Sequence, residues 1–263
     1  MAMITKQDLI DDLASMGIDP NGTLLVHSSY KKMGDIQGRA DTVIDALMEY
    51  MKDGMLIIPT HTWNNIAIDK ETVMEVESTP CCIGIIPELF RNKPGVIRTW
   101  HPTHSVGIYG KNAARLAEGE ELVNTPCGRD SIWGKLLDEK ASILLAGVGF
   151  TRNTYIHGVE EWNDVPGRLT KEIHDLYVLT PDGKKLHTPQ YRHCGELGSE
   201  TYWKLEKLME QFGAMKRGKF GEADTMLCDA KELNRILSAM LKKDIDILTD
   251  NEPLAKFWYD MEF

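Results

Sequence analysis

A chain of 263 residues with 42% hydrophobic and 27% charged side chains has the make-up of a globular protein, long enough for one large domain or two small ones. Its formal net charge of -10 argues against nucleic acid as partner, since phosphate binding needs a basic surface, and it suits a cationic partner as readily as plain solubility. Cys81, Cys82, Cys127, Cys194 and Cys228 are odd in number and lack Cys-x-x-Cys spacing, which argues against a disulfide framework or a structural zinc centre and leaves free thiols.

The first predicted element is a helix over about 5–16, followed by a strand at 23–28 and a helix at 39–52. A second strand is expected at 55–59, a helix over 83–91, a strand at 105–110 and two short helices at 112–116 and 131–137. Ser142–Ala146 has the continuous apolar character of a buried strand, and Gly147 and Gly149 permit a sharp turn. Asn153 or Thr154 can then cap a helix. Beyond residue 165 the pattern changes. Two apolar runs, 173–180 and 185–189, flank Asp182-Gly183 and read as a hairpin, and 203–212 and 230–242 are amphipathic helices whose stripes belong to a core. No proline-, glycine- or serine-rich tract divides the chain, no repeat is visible, and no apolar run is long enough to span a bilayer. A single domain over 1–263 is expected. The amino terminus has no signal-peptide h-region, so a cytoplasmic location is expected.

The most informative stretch is the turn-to-helix segment around Asn153, Thr154, His157 and Glu160. Helical spacing puts His157 and Glu160 on one face, where an imidazole can take a proton from a nucleophile while the carboxylate orients it. Taken alone, the pair also fits a packed histidine beside an exposed acid. Three further segments place histidine or hydroxyl groups just after strand-like runs: His27-Ser28-Ser29-Tyr30, Thr60-His61-Thr62, and Arg98 through His101 and His104 to Ser105. In open α/β sheets, ligands bind beyond the carboxyl ends of the strands. Lys31, Lys32 and Arg98 add positive charge, although Lys31 and Lys32 also fit a solvated face. Cys127 offers a thiol for a ping-pong route, but nothing nearby in sequence supplies its base, and a packed thiol is the simpler reading.

The ordered set of Leu-Val-His27-Ser28-Ser29, Pro59-Thr60-His61-Thr62, Arg98-Thr-Trp-His101-Pro-Thr-His104-Ser105, Pro126-Cys-Gly128, Leu-Ala-Gly147-Val-Gly, Asn153-Thr154-Tyr-Ile-His157-Gly-Val-Glu160 and the later Gly218-Lys-Phe-Gly221 resembles the aminoglycoside 3-N-acetyltransferase family. The resemblance runs from about residue 5 to about residue 240. It implies a three-layer α/β/α fold with a central mixed sheet, whereas periodicity gives only the α/β class. It also implies acetyl transfer from acetyl-CoA to N3 of the 2-deoxystreptamine ring of an aminoglycoside antibiotic, conferring resistance, with no metal. His157 is then the expected base and Glu160 its partner. His27, Ser28, Ser29, Tyr30, Arg98, His101, Ser105 and Thr154 are the expected acetyl-CoA contacts, and Glu161, Asp164 and acids within 196–224 the expected acceptor contacts. The C-terminal third, about 165–263, is expected to shape the acceptor site. Partners are expected to be acetyl-CoA and a cationic amine, with no nucleic acid or membrane, the protein being a monomer or homodimer. The Gln/Arg-x-x-Gly-x-Gly/Ala loop of the commoner acetyltransferase superfamily is absent. Other expectations left open are transfer to a different amine, a CoA- or polycation-binding protein without activity, and a metal-dependent hydrolase using His61, His101, His104, His157 and Glu160.

Overall fold

A computed structural model of the chain describes residues 3–194 and 198–263. The chain opens with α1 (Lys6–Ser15), whose start is fixed by a capping box: the Thr5 hydroxyl accepts from the Asp8 amide while the Asp8 carboxylate accepts from the Thr5 amide. β1 (Thr23–Ser28), α2 (Arg39–Tyr50) and β2 (Met55–Pro59) follow as a strand–helix–strand unit with the two strands parallel. Then come β3 (Val73–Glu75), α3 (Ile85–Phe90), β4 (Ile97–Arg98), β5 (Val106–Gly110), α4 (Ala113–Ala117) and α5 (Ile132–Asp138). β6 (Ser142–Ala146) leads into α6 (Thr154–Trp162), the hairpin of β7 (Tyr177–Leu179) and β8 (Lys185–His187), and α7 (Glu206–Gln211). A second hairpin, β9 (Met215–Phe220) and β10 (Ala223–Asp229), precedes the long α8 (Ala230–Lys243).

Seven strands form one mixed sheet in the order β4-β5-β2-β1-β6-β10-β9. β1 is parallel to both neighbours, β2 and β6, and the outer pairings are antiparallel. β3, β7 and β8 form a separate small sheet.

Alternation along the central strands divides the apolar residues between two cores. Leu24, Val26, Leu56, Ile58, Leu144 and Ala146 face the side covered by α1, α2 and α3. Leu25, Ile57, Ile143 and Leu145 face the side covered by α5, α6 and α8. The fold is therefore a three-layer α/β/α arrangement around a mixed sheet. Because both faces of β1, β2 and β6 are covered, these strands read as unbroken apolar runs.

The β9–β10 hairpin is not among the expected elements, since its residues stand out in the sequence chiefly as glycine-punctuated polar chain. In β9 only Met215 and Phe220 are buried, which leaves little periodic signal. The expected helix over 203–212 begins instead as a 3-10 segment, Gly198–Leu205, that becomes α-helical at Glu206. Among the described residues, no helix is long and apolar enough to cross a membrane.

Candidate active site

β1, β2 and β6 run in one direction, so their carboxyl ends come together, and β2 and β6 leave β1 on opposite sides. This is the crevice that open α/β sheets use for ligands. A cavity of about 550 Å³ occupies it, lined by His27, Ser28 and Ser29 at the end of β1, His61 after β2, and Asn153, Thr154 and His157 after β6. Gly147 makes the exit from β6 possible. It has φ of +71°, and a β-carbon there would come within 2.7 Å of Lys32 Cβ.

α6 begins where Asn153 caps it, the side-chain oxygen accepting from the Tyr155 amide at 3.3 Å. One turn later His157 reaches the cavity with 18% of its side chain exposed, while Glu160 on the same face is buried. The two do not meet directly. Nδ1 of His157 is 3.4 Å from Glu160 Oε2, and the Tyr202 hydroxyl sits between them, 2.6 Å from Nδ1 and donating to Glu160 Oε2. A hydroxyl that donates to the carboxylate must accept from Nδ1–H, so the free lone pair of His157 is on Nε2. Arg168 Nη2 lies 2.7 Å from Glu160 Oε1 but aims a hydrogen at Leu248 O, 3.0 Å away; its contact with Glu160 is one of charge more than of a directed hydrogen bond.

A second histidine–carboxylate pair stands beside the first. The rings of His157 and His193 stack at 4.2 Å between centroids and 28° between planes. His193 Nε2 is 2.7 Å from Glu161 Oε1, which also accepts from the Cys127 amide at 2.9 Å. Burial raises the Glu161 carboxyl to about 7, and burial together with the neighbouring His157 pushes His193 well below its ordinary value. Neither Tyr202, Arg168 nor His193 is singled out by the sequence. Each meets its partner through tertiary packing, and no local spacing joins them.

The expected cofactor contacts separate into two groups. His27, Ser28, Ser29 and Thr154 line the cavity, and His27 Nε2 and Ser28 Oγ are buried without protein partners. Burial alone lowers His27 to about 3, so its ring is neutral. Arg98, His101, Ser105 and Tyr30 are not in the cavity wall, contrary to expectation. The guanidinium of Arg98 is consumed by the carbonyls of Val76, Thr79 and Thr60, and Ser105 Oγ donates to Thr60 O. His101 braces its own turn: Nδ1 accepts from the amides of Thr103 and His104, and Nε2 donates to Thr125 O. Tyr30 packs against the core beneath β1. Positive charge in the cavity wall comes instead from Arg152, which faces Glu200, and Arg192, whose guanidinium donates to the carbonyls of Ile66 and Trp63.

The expected acceptor contacts are also displaced. Glu161 is behind His193, and Asp164 is exposed in a left-handed conformation just past α6. Among the described lining residues none is a carboxylate; Glu200 faces Arg152 at 3.7 Å, and Glu196 lies outside the described residues. Cys127 is fully buried and its thiol is pushed well above the ordinary range by desolvation, which removes it as a nucleophile. Four of the five donors of the metal-hydrolase alternative are held in other bonds, His101 to backbone, His104 to Thr103, and His157 and Glu160 to Tyr202, while His61 Nε2 is buried without a partner.

Comparison with known proteins shows the family of this chain. The family model described as aminoglycoside 3-N-acetyltransferase matches residues 25–242. The chain belongs to that family. Among curated members, the SPbeta prophage-derived aminoglycoside N(3')-acetyltransferase-like protein YokD of Bacillus subtilis is 29% identical over 248 residues, covering 87% of this chain and 89% of the relative. Solved structures share the fold at lower identity. One, AAC-IIIb in a binary complex with CoASH, has a TM-score of 0.81 at 20% identity, covering 92% of this chain and 97% of its own. Another, a histidine-to-alanine variant of AAC(3)-IVa in complex with a gentamicin, has a TM-score of 0.81 at 22% identity, covering 94% and 92%.

Proposed function

We propose that this chain transfers the acetyl group of acetyl-CoA to N3 of the 2-deoxystreptamine ring of aminoglycosides, by direct transfer in a ternary complex, and so confers resistance to them. The observation that carries the reading is His157, which lines the cavity while the Tyr202 hydroxyl, itself bonded to Glu160, engages Nδ1 and leaves the lone pair to Nε2. Family membership supplies the reaction class, and the relatives named above, one with CoASH and one with a gentamicin, supply the two partners.

In the proposed reaction the acceptor nitrogen attacks the thioester carbonyl and His157 Nε2 takes its proton as the N–C bond forms. The tetrahedral intermediate collapses, the C–S bond breaks, and CoA leaves as thiolate. Tyr202 and Glu160 stabilise the imidazolium through Nδ1–H, and the proton is then passed to the thiolate or to solvent. Thr154, which lines the cavity at the start of α6, is the group this reading assigns to stabilising a developing oxyanion. Ser28, Ser29 and the neutral ring of His27 offer contacts to the pantetheine arm, and Arg152 and Arg192 offer charge to CoA phosphates. The donor makes a cytoplasmic location part of this reading.

The test is thiol release from acetyl-CoA with a panel of aminoglycosides, followed by mass and NMR identification of the product. A singly acetylated product modified at N3 supports the proposal. Acetyl-CoA binding with no turnover on any aminoglycoside would transfer the reading to a different amine, and no CoA binding would overturn it.

A further inference from the structure

Behind His193, in the wall of the cleft, three different donor groups converge. Cys127 Sγ, a carboxylate oxygen of Glu161 and a ring nitrogen of His193 all lie within 4.8 Å of one another. They come from separate parts of the chain: the turn before α5, the last turn of α6, and the extended segment that bridges Leu169. The contacts they make leave donor capacity unused. Glu161 Oε1 receives the Cys127 amide and His193 Nε2, but Glu161 Oε2 is buried without any hydrogen-bond partner. Cys127 Sγ has only a long contact to Thr154 O at 3.9 Å. An unpartnered carboxylate oxygen in a buried position is costly unless something meets it.

We propose that Cys127, Glu161 and His193 form a binding site for a borderline-soft divalent cation of the zinc class, with its remaining coordination position filled by water. Thiolate, imidazole and carboxylate are the donor types that such ions select, and three protein ligands plus one open position is a common zinc arrangement. Zinc–ligand bonds of about 2.0–2.3 Å set tetrahedral donors roughly 3.3–3.8 Å apart, so His193 Nε2 and Glu161 Oε1, now 2.7 Å apart, must part slightly to admit an ion, while all three donors already lie within 4.8 Å of one another. Coordination is balanced as follows. The Cys127 thiol gives up its proton to solvent as the metal–sulfur bond forms, the His193 ring hydrogen moves to Nδ1 so that Nε2 can donate its lone pair, and Glu161 binds through Oε2. Thiolate and carboxylate neutralise the dication. An ion enters from the cavity past His193, which lines it, whereas Cys127 and Glu161 stand behind. The site does not depend on the acetyl-transfer reading, although its histidine stacks on His157.

Cobalt titrated into chelator-washed full-length protein tests this without an activity assay. One equivalent of Co²⁺ is expected to produce a thiolate-to-cobalt charge-transfer band and tetrahedral visible bands, both abolished by Zn²⁺. Cys127→Ser is expected to lose the charge-transfer band while keeping the thermal midpoint of the metal-free protein. Cys194→Ser, at the exposed neighbouring thiol, is expected to retain the band. Should Cys127→Ser fail to fold, His193→Asn gives the second reading, with at least about tenfold weaker Co²⁺ binding expected. Absence of a charge-transfer band in the wild type, its persistence in a folded Cys127→Ser protein, or unchanged affinity in His193→Asn would overturn the proposal.

Discussion

At the scale of single residues, the site depends on Tyr202 as much as on the helix that carries His157. The expected histidine–carboxylate pair is separated by 3.4 Å, and the Tyr202 hydroxyl joins its two members. A hydrogen bond to a charged group contributes about 1.5–3 kcal/mol, so loss of this bridge as imidazolium develops corresponds to tens-fold in rate. Tyr202→Phe is accordingly expected to lower kcat by that factor with acetyl-CoA affinity unchanged, and to alter the pH–rate profile. An unchanged profile with unchanged kcat would make Tyr202 a packing residue only. His157, Glu160 and the serines after β1 are legible in the sequence because each is local to a strand end or a helix start. Tyr202, Arg168 and His193 are not, because they reach the site through tertiary packing alone. The same limit explains Arg98, His101 and Ser105. Sequence shows that polar groups follow a strand, but not whether backbone carbonyls nearby will absorb them, as Thr60, Val76, Thr79 and Thr125 do.

At the scale of elements, α6 is the part whose register matters most. Asn153 fixes its first turn, and His157 is four residues on. Loss of an N-cap costs about 1 kcal/mol, which for a chain of this size lowers the thermal midpoint by about 2–4 °C. Asn153→Ala should show that fall, and Asn153→Asp, which keeps the accepting oxygen, should recover most of it by calorimetry. The interior of α6 is equally constrained. A β-carbon on Gly158 would come within 2.8 Å of the Trp162 ring, whose Nε1 donates to Cys127 O, so the helix can lie this close to the Cys127 turn only with glycine there. The β1–α2–β2 unit and β6 are readable because strands covered on both faces are uniformly apolar, and α8 because one stripe of it is buried. β9 and β10 are harder to read. They form the edge of the sheet, where β9 turns most of its side chains to solvent.

At the scale of the molecule, the histidines gathered around the cleft couple folding to pH. Burial lowers His27 to about 3 and His101 to about 4, and it sets His61, His104 and His193 well below their ordinary value. Below pH 6.5 the unfolded chain takes up protons that these five sites refuse, so each removes up to about 1.4 kcal/mol of stability per pH unit as pH falls toward its folded value. Two buried carboxyls act in the opposite direction. Glu120, raised by burial to about 8, and Glu161, raised to about 7, hold protons in the folded state that the unfolded chain has released. Their stabilisation is complete below about 4.5 and is lost as pH rises through 7 and 8. Five groups outweigh two between pH 4.5 and 6.5, and only the carboxyls act above it, so urea unfolding should give maximal stability near pH 6.5 with the steeper decline on the acid side. A plateau extending down to pH 4.5 would contradict the buried neutral histidines.

The central claim is that His157 removes the acceptor proton, and it is tested most directly by comparing wild type and His157→Ala in two measurements on the same preparations: steady-state thiol release with an aminoglycoside, and acetyl-CoA binding by calorimetry. General-base removal accounts for about 10²–10⁴ in rate, so kcat should fall by at least that factor with the dissociation constant for acetyl-CoA and the thermal midpoint nearly unchanged. Turnover within tenfold of wild type, or loss of acetyl-CoA binding in parallel with rate, would contradict it.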